Sequence, residues 1–296
     1  MSSNLSRRSV IKNIVAGAVA LNIPLGFSAA ASPKETNMEE QTIKGNINHS
    51  VCRWCFSSID LEILCVEAKK MGISAIDLVG PADWPILKKH GLDSAMCNGA
   101  EINLVDGFND PKFHETLIKN YSAMIPLVAK AGYKNLICFS GNKRGKTDEE
   151  GWNNCVKGLQ PLLPLAEKHN VVLVMELLNS KIDHKDYQCD TTKWGVELAK
   201  RLNSEHFKLL YDIYHMQIDE GDVIRTIRDN HKYIGHYHTA GVPGRNEIDE
   251  NQELNYAAIM KAIVQTGFKG YVAQEFIPKN PNKMDSLRKA IAICDI

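Results

Sequence analysis

Short apolar runs alternate with longer amphipathic stretches from about residue 50 to the end of the chain. The runs predict strands near Ser50–Trp54, Ala75–Leu78, Ser94–Cys97, Asn135–Cys138, Val171–Glu176, Lys208–Asp212, Tyr233–His238 and Tyr271–Glu275. Runs this short and this apolar fit strands buried on both faces. Helical periodicity between them predicts helices such as Ile59–Met71, His114–Ala131, Asn153–Lys168, Thr191–Leu202, Gly221–Thr226 and Tyr256–Thr266. Gly72, Gly132 and Gly267 follow three of these stretches, where a left-handed residue would end the helix. Repeated strand–helix alternation implies a parallel sheet. Eight units favour closure into a single α/β domain, a (β/α)8 TIM barrel. No glycine-rich phosphate loop follows the first strand, which argues against an open dinucleotide-binding sheet.

Four of the later runs end in side chains that packing does not require: Glu176, Asp212, His238 and Glu275. Strand side chains alternate faces, so Val174 and Val172 share a face with Glu176, and Leu210 shares one with Asp212. His236 accompanies His238, and Ala273 accompanies Glu275. Mostly apolar companions suit a barrel interior, which would bring three carboxylates and one imidazole together at the mouth, where catalytic groups of such barrels sit. Taken singly, a strand-end Asp or Glu is more often a helix cap, and a strand His a satisfied core residue. Four on consecutive strands point instead to a metal site, because isolated buried carboxylates are costly. Mixed oxygen and nitrogen ligation suits Mn²⁺ first, with Mg²⁺, Co²⁺ or Zn²⁺ as alternatives.

The N-terminus reads differently. Ser6-Arg7-Arg8-Ser9-Val10-Ile11-Lys12 precedes an apolar run from Ile14 to about Phe27, then Ala29-Ala30-Ala31. This resembles a twin-arginine export signal over residues 1–31, implying a periplasmic or exported protein. The run is shorter than the ~20 residues that span a bilayer, so no stable membrane anchor is expected. A polar linker, 32–46, would lead into a catalytic domain at 47–296. The 35 basic and 35 acidic residues balance, which leaves no electrostatic footprint for nucleic acid and favours a small, partly polar substrate. The eight cysteines are scattered. Cys52 and Cys55 have redox spacing, but no second such pair supports zinc or redox chemistry, and a structural role is expected.

The motifs MELLN at Glu176, YDIYHMQ at Asp212, GHYHTAGVPGR at His238 and AQEF at Glu275 occur in that order. From about His49 onward the chain resembles the xylose-isomerase-like TIM-barrel superfamily, and within it the hydroxypyruvate isomerase and ketose 3-epimerase branch. The resemblance implies that Glu176, Asp212, His238 and Glu275 bind a divalent metal, with Glu176 and Glu275 as acid/base carboxylates. It also implies that His215 and Arg245 hold substrate oxygens. Hydroxypyruvate isomerases usually carry glutamine at the position of His238, and histidine there is more like the ketose 3-epimerases. His184, Trp54 and Trp84 are further candidates to line the pocket, with core packing the default for the tryptophans.

The chemistry implied is isomerisation or epimerisation of a small ketose or hydroxy-keto acid through an enediolate. One glutamate removes a proton and the other returns it. A lyase or dehydratase acting on a keto-sugar or keto-inositol begins with the same step. A non-catalytic exported sugar-binding protein is the alternative without chemistry. Endonucleases of the same barrel type need a basic groove, which the neutral charge disfavours. The expected partner is a carbohydrate, with homo-oligomerisation left open.

Overall fold

The computed structural model describes residues 42–296. The expected export signal and most of the linker lie outside the described residues. Eight parallel strands follow one another around a closed barrel. They are β1 (Asn48–Cys52), β2 (Ala75–Val79), β3 (Asp93–Cys97), β4 (Asn135–Cys138), β5 (Val172–Glu176), β6 (Phe207–Asp212), β7 (Ile234–Thr239) and β8 (Tyr271–Gln274). β1 pairs with β8 as well as β2, so no edge is left. The helices are α1 (Leu61–Lys70), α2 (Trp84–Lys89), α3 (His114–Ala131), α4 (Asp148–Leu159), α5 (Leu163–His169), α6 (Thr192–Leu202), α7 (Ile213–Asp219), α8 (Val223–Asn230), α9 (Tyr256–Gln265) and α10 (Lys283–Cys294).

Local chemistry sets the helix ends. Asp60 accepts from the backbone of Glu62 and Ile63 to start α1. Thr147 and Glu150 exchange side-chain and backbone bonds as a capping box on α4. Gly72, Gly132 and Gly267 all have positive φ, as expected past a helix end. Among the described residues, no helix is long and apolar enough to cross a membrane.

Four boundaries differ from the sequence expectation. The stretch Asn153–Lys168 is two helices, because Pro161 lies in a 3-10 turn at Gln160–Leu162 and has no N–H for an α-helical ladder. The helix expected at Gly221–Thr226 is shifted to α8, preceded by Asp222 with a left-handed φ of 45°. The residues after Asp212 form α7. β1 ends at Cys52, leaving Trp54 in a 3-10 turn above the barrel rather than in a strand.

Candidate metal and substrate site

β5, β6 and β7 deliver Glu176, Asp212 and His238 near their C-terminal ends, and Glu275 is the first residue past β8. Asp212 and His238 are direct partners in the β6–β7 register. One candidate ligand atom from each of the four lies within 4.8 Å of the others, and all four residues are buried. His238 Nδ1 lies 2.7 Å from Glu275 Oε2 and 3.5 Å from Glu176 Oε1, yet makes no hydrogen bond there. A ring nitrogen so close to two carboxylates but off hydrogen-bond geometry is the arrangement of side chains converging on a shared cation. The oxygen-rich set with one imidazole fits a divalent metal.

Asp212 divides its two oxygens. Oδ1 caps α7, accepting from the backbone N–H of Tyr214 at 2.8 Å and of His215 at 3.4 Å. Oδ2 faces the cluster. Cap and cluster member, alternatives when read from sequence, are here one carboxylate.

Arg245 has a left-handed φ of 58°, and its side chain runs into the site between the Trp54 and Tyr214 rings, 5.4 and 5.2 Å from their centroids. Its Nη2 donates to Asp212 Oδ2 at 3.1 Å and to Glu275 Oε2 at 2.5 Å. Trp54 Nε1–H donates to the other Glu275 oxygen at 2.7 Å. Burial alone would raise the Glu275 pKa, but His238, Arg245 and Trp54 hold it well below the usual carboxylate range. Burial pushes Asp212 up to about 7 against the pull of Arg245. Burial also lowers the pKa of His238, but Cys52, Glu275 and Asp77 around it hold it well above the imidazole range.

The cavity over this cluster has a volume of about 360 Å³ and is lined by Trp54, Leu78, Leu104, Phe139, Leu178 and the polar residues Glu176, His184, Arg245 and Glu275. Its walls are mainly apolar. His184 lines this cavity. His215 does not: it is buried beneath, with Nε2 2.8 Å from Arg245 Nη1 and Nδ1 2.6 Å from Asn179 Nδ2. Burial and the adjacent guanidinium depress its pKa well below the ordinary value, so it stays neutral. Trp84 packs against Tyr133 and donates to the Val79 carbonyl, away from the site. Sequence reasoning missed Asp77, His236 and Asn179. An aspartate in the middle of the apolar strand Ala75-Ile76-Asp77-Leu78-Val79 was the available signal.

Comparison with known proteins bears on the family and the fold. Residues 84–294 match the family described as the xylose isomerase-like TIM barrel. The chain belongs to that family. Hydroxypyruvate isomerase of Escherichia coli is 26% identical over 235 residues, 76% of this chain and 90% of that one. A putative hydroxypyruvate isomerase of Xenopus laevis is 28% identical over 139 residues, 47% of this chain and 50% of the relative. The chain thus spans about half the length of this animal relative. D-psicose 3-epimerase of Ruminiclostridium cellulolyticum is 29% identical over 133 residues, 43% of this chain and 42% of the relative. Among solved structures, an AP endonuclease of family 2 from Brucella melitensis superposes with a TM-score of 0.72 at 20% identity, covering 81% of this chain and 96% of that one. The IolI protein, solved with a zinc atom, superposes with a TM-score of 0.65 at 18% identity, covering 84% and 95%. Both support the xylose isomerase-like barrel as the fold.

Proposed function

We propose that this chain is a divalent-metal-dependent isomerase or epimerase of a small ketose or hydroxy-keto acid, working through an enediolate. The observation that carries it is the convergence of Glu176, Asp212, His238 and Glu275 within 4.8 Å at the barrel mouth, in a family whose similar members include named isomerases and an epimerase. These four residues would hold the cation, Mn²⁺ first, with Mg²⁺, Co²⁺ and Zn²⁺ as alternatives. When bound, the cation supplies Lewis-acid polarisation of the substrate carbonyl. Glu176 at the end of β5 and Glu275 just past β8 stand three strands apart around the barrel, which supports a proton transfer shared between two carboxylates. Glu275, held ionised by His238, Arg245 and Trp54, is in the protonation state that a proton acceptor needs. Arg245 is positioned to orient a substrate oxygen through its forked donors, with His215 acting behind it and His184 also lining the cavity. The paired arginines and apolar run within residues 1–31 support export by the twin-arginine route, and fractionation of cells making the full chain would test that.

The reaction is tested by incubating the protein and its Glu275→Gln variant in D₂O with manganese, against a panel of ketoses and hydroxypyruvate. Deuterium entering beside the carbonyl with wild type only is the expected outcome. The product then separates isomerase, epimerase and lyase. No exchange on any panel member, in protein that binds no metal, would sink the reading.

A further inference from the structure

Beneath the four-residue cluster, and sharing His238 with it, lies a second buried group whose other members the proposed reaction does not use. Asp77 of β2, His236 and His238 of β7 and Cys52 of β1 meet inside the barrel, and all are fully buried. Cys52 and Asp77 are register partners on adjacent strands. A single oxygen, Asp77 Oδ2, receives His236 Nε2 at 2.5 Å and His238 Nε2 at 3.2 Å. The Cys52 sulfur lies 3.8 Å from the same His238 nitrogen. Asp77 Oδ1 and His236 Nδ1 have no hydrogen-bond partner.

An aspartate at this depth is costly unless it is paired. One Asp77 oxygen faces two ring nitrogens at hydrogen-bond distance, which makes it an acceptor for both. Each histidine nitrogen facing it must carry the proton. For His238 this has a directional consequence, because its other nitrogen, Nδ1, faces Glu176 and Glu275. A metal-ligating imidazole is usually fixed by a hydrogen bond from its second nitrogen.

We propose that Asp77 is a positioning residue for the metal site: it keeps hydrogen on His238 Nε2 and fixes the ring in one orientation, so that Nδ1 is the nitrogen turned to the carboxylates and left to ligate. His236 steadies Asp77 from the side away from the site. The inference rests on the metal-dependent reading of the four-residue cluster. Its geometric core concerns which nitrogen of His238 carries hydrogen, and that can be measured apart from any activity.

The test uses the full chain. Long-range ¹⁵N–¹H correlation spectra, with the His238 signals assigned by loss in His238→Gln, should show hydrogen on Nε2 towards Asp77 in wild type. Titration calorimetry with Mn²⁺ and Zn²⁺ should show Asp77→Asn binding roughly 10- to 100-fold more weakly than wild type, with unchanged circular dichroism. In the His238→Gln background the Asp77→Asn change should cost little further affinity, since the two act through one contact. An Nε2 that carries no hydrogen in wild type would overturn the proposal, as would an Asp77→Asn effect that persists undiminished without His238. A second equivalent of metal lost on Asp77→Asn would also overturn it, by making Asp77 a ligand of its own site. If wild type binds no metal, the metal reading fails while the tautomer measurement still decides the role of Asp77. Should Asp77→Asn not fold, the wild-type spectrum decides alone.

Discussion

Single side chains at this barrel mouth have duties that can be separated by conservative substitution. Trp54 is one of the few exposed aromatics, yet its indole N–H reaches a carboxylate that is nearly inaccessible. Trp54→Phe keeps the ring over Arg245 and deletes only the donor. A hydrogen bond to a charged group contributes about 1.5–3 kcal/mol. Turnover in the proposed reaction should therefore fall by at least roughly tenfold, given about 1.4 kcal/mol per decade. The Glu275 pKa should rise, because a contact that favours its ionised form is gone. A pH–rate profile for the variant, with its acidic limb moved upward, would check this. Proton linkage gives a second expectation. Asp212, with its pKa pushed up to about 7, and His238, held above the imidazole range, both carry protons that a metal must displace. Metal affinity should climb between about pH 6 and about pH 8, with protons released on binding. Calorimetry in buffers of different ionisation enthalpy counts them, and a pH-independent affinity would contradict the assigned ligands. For stability the sign is opposite at Asp212. A carboxyl whose folded pKa is raised loses stability as pH rises from the ordinary carboxylate range to about 7, because the unfolded chain releases that proton first. Glu275, shifted down, contributes stability above the carboxylate range that is lost as pH falls.

At the scale of elements, α7 ties the site to secondary structure. Asp212 Oδ1 caps it while Oδ2 faces Arg245. Asp212→Asn keeps an acceptor for the cap, whereas Asp212→Ala removes it. Both should abolish tight metal binding, but the alanine variant should be less stable than the asparagine one by about 1 kcal/mol, read from denaturant melts. Equal melts would mean that the cap contributes nothing. This element also shows where sequence reading stopped. The run into Asp212 is legible as a strand, but Asp-Ile-Tyr-His-Met-Gln carries no helical stripe of its own, being buried on several sides. Its helix is set by the cap and by packing on the barrel rather than by periodicity. The split of Asn153–Lys168 was legible in Pro161 and Pro164, and periodicity alone masked it.

Across the whole molecule, eight buried strands with glycine-closed helices were readable because a parallel barrel hides both faces of every strand, so each appears as an apolar run. The carboxylates and the imidazole at the strand ends were readable for the converse reason: nothing in packing calls for them there. Asp77 stood out in its apolar strand, but its role was not legible, because that depends on a partner 159 residues away, His236, which only barrel closure brings into contact. The apolar walls of the cavity, Leu104, Phe139 and Leu178 among them, are likewise gathered from separate loops. They should select for substrates with carbon surface beyond the reacting end. Phe139→Ala should raise KM for a six-carbon ketose more than for hydroxypyruvate, which is too small to span the cavity, and equal shifts would count against that.

Arg245 bridges Asp212 and Glu275 with one nitrogen. Those oxygens belong to the set that the proposed cation needs, so loading is an exchange of one positive charge for another rather than an addition. The measured affinity is then a difference, set partly by how well the guanidinium is received elsewhere, against substrate or solvent. Arg245→Met should weaken the chelator-treated protein more than the metal-loaded one, and widen the thermal shift on adding manganese. An unchanged shift would mean that the two cations do not compete.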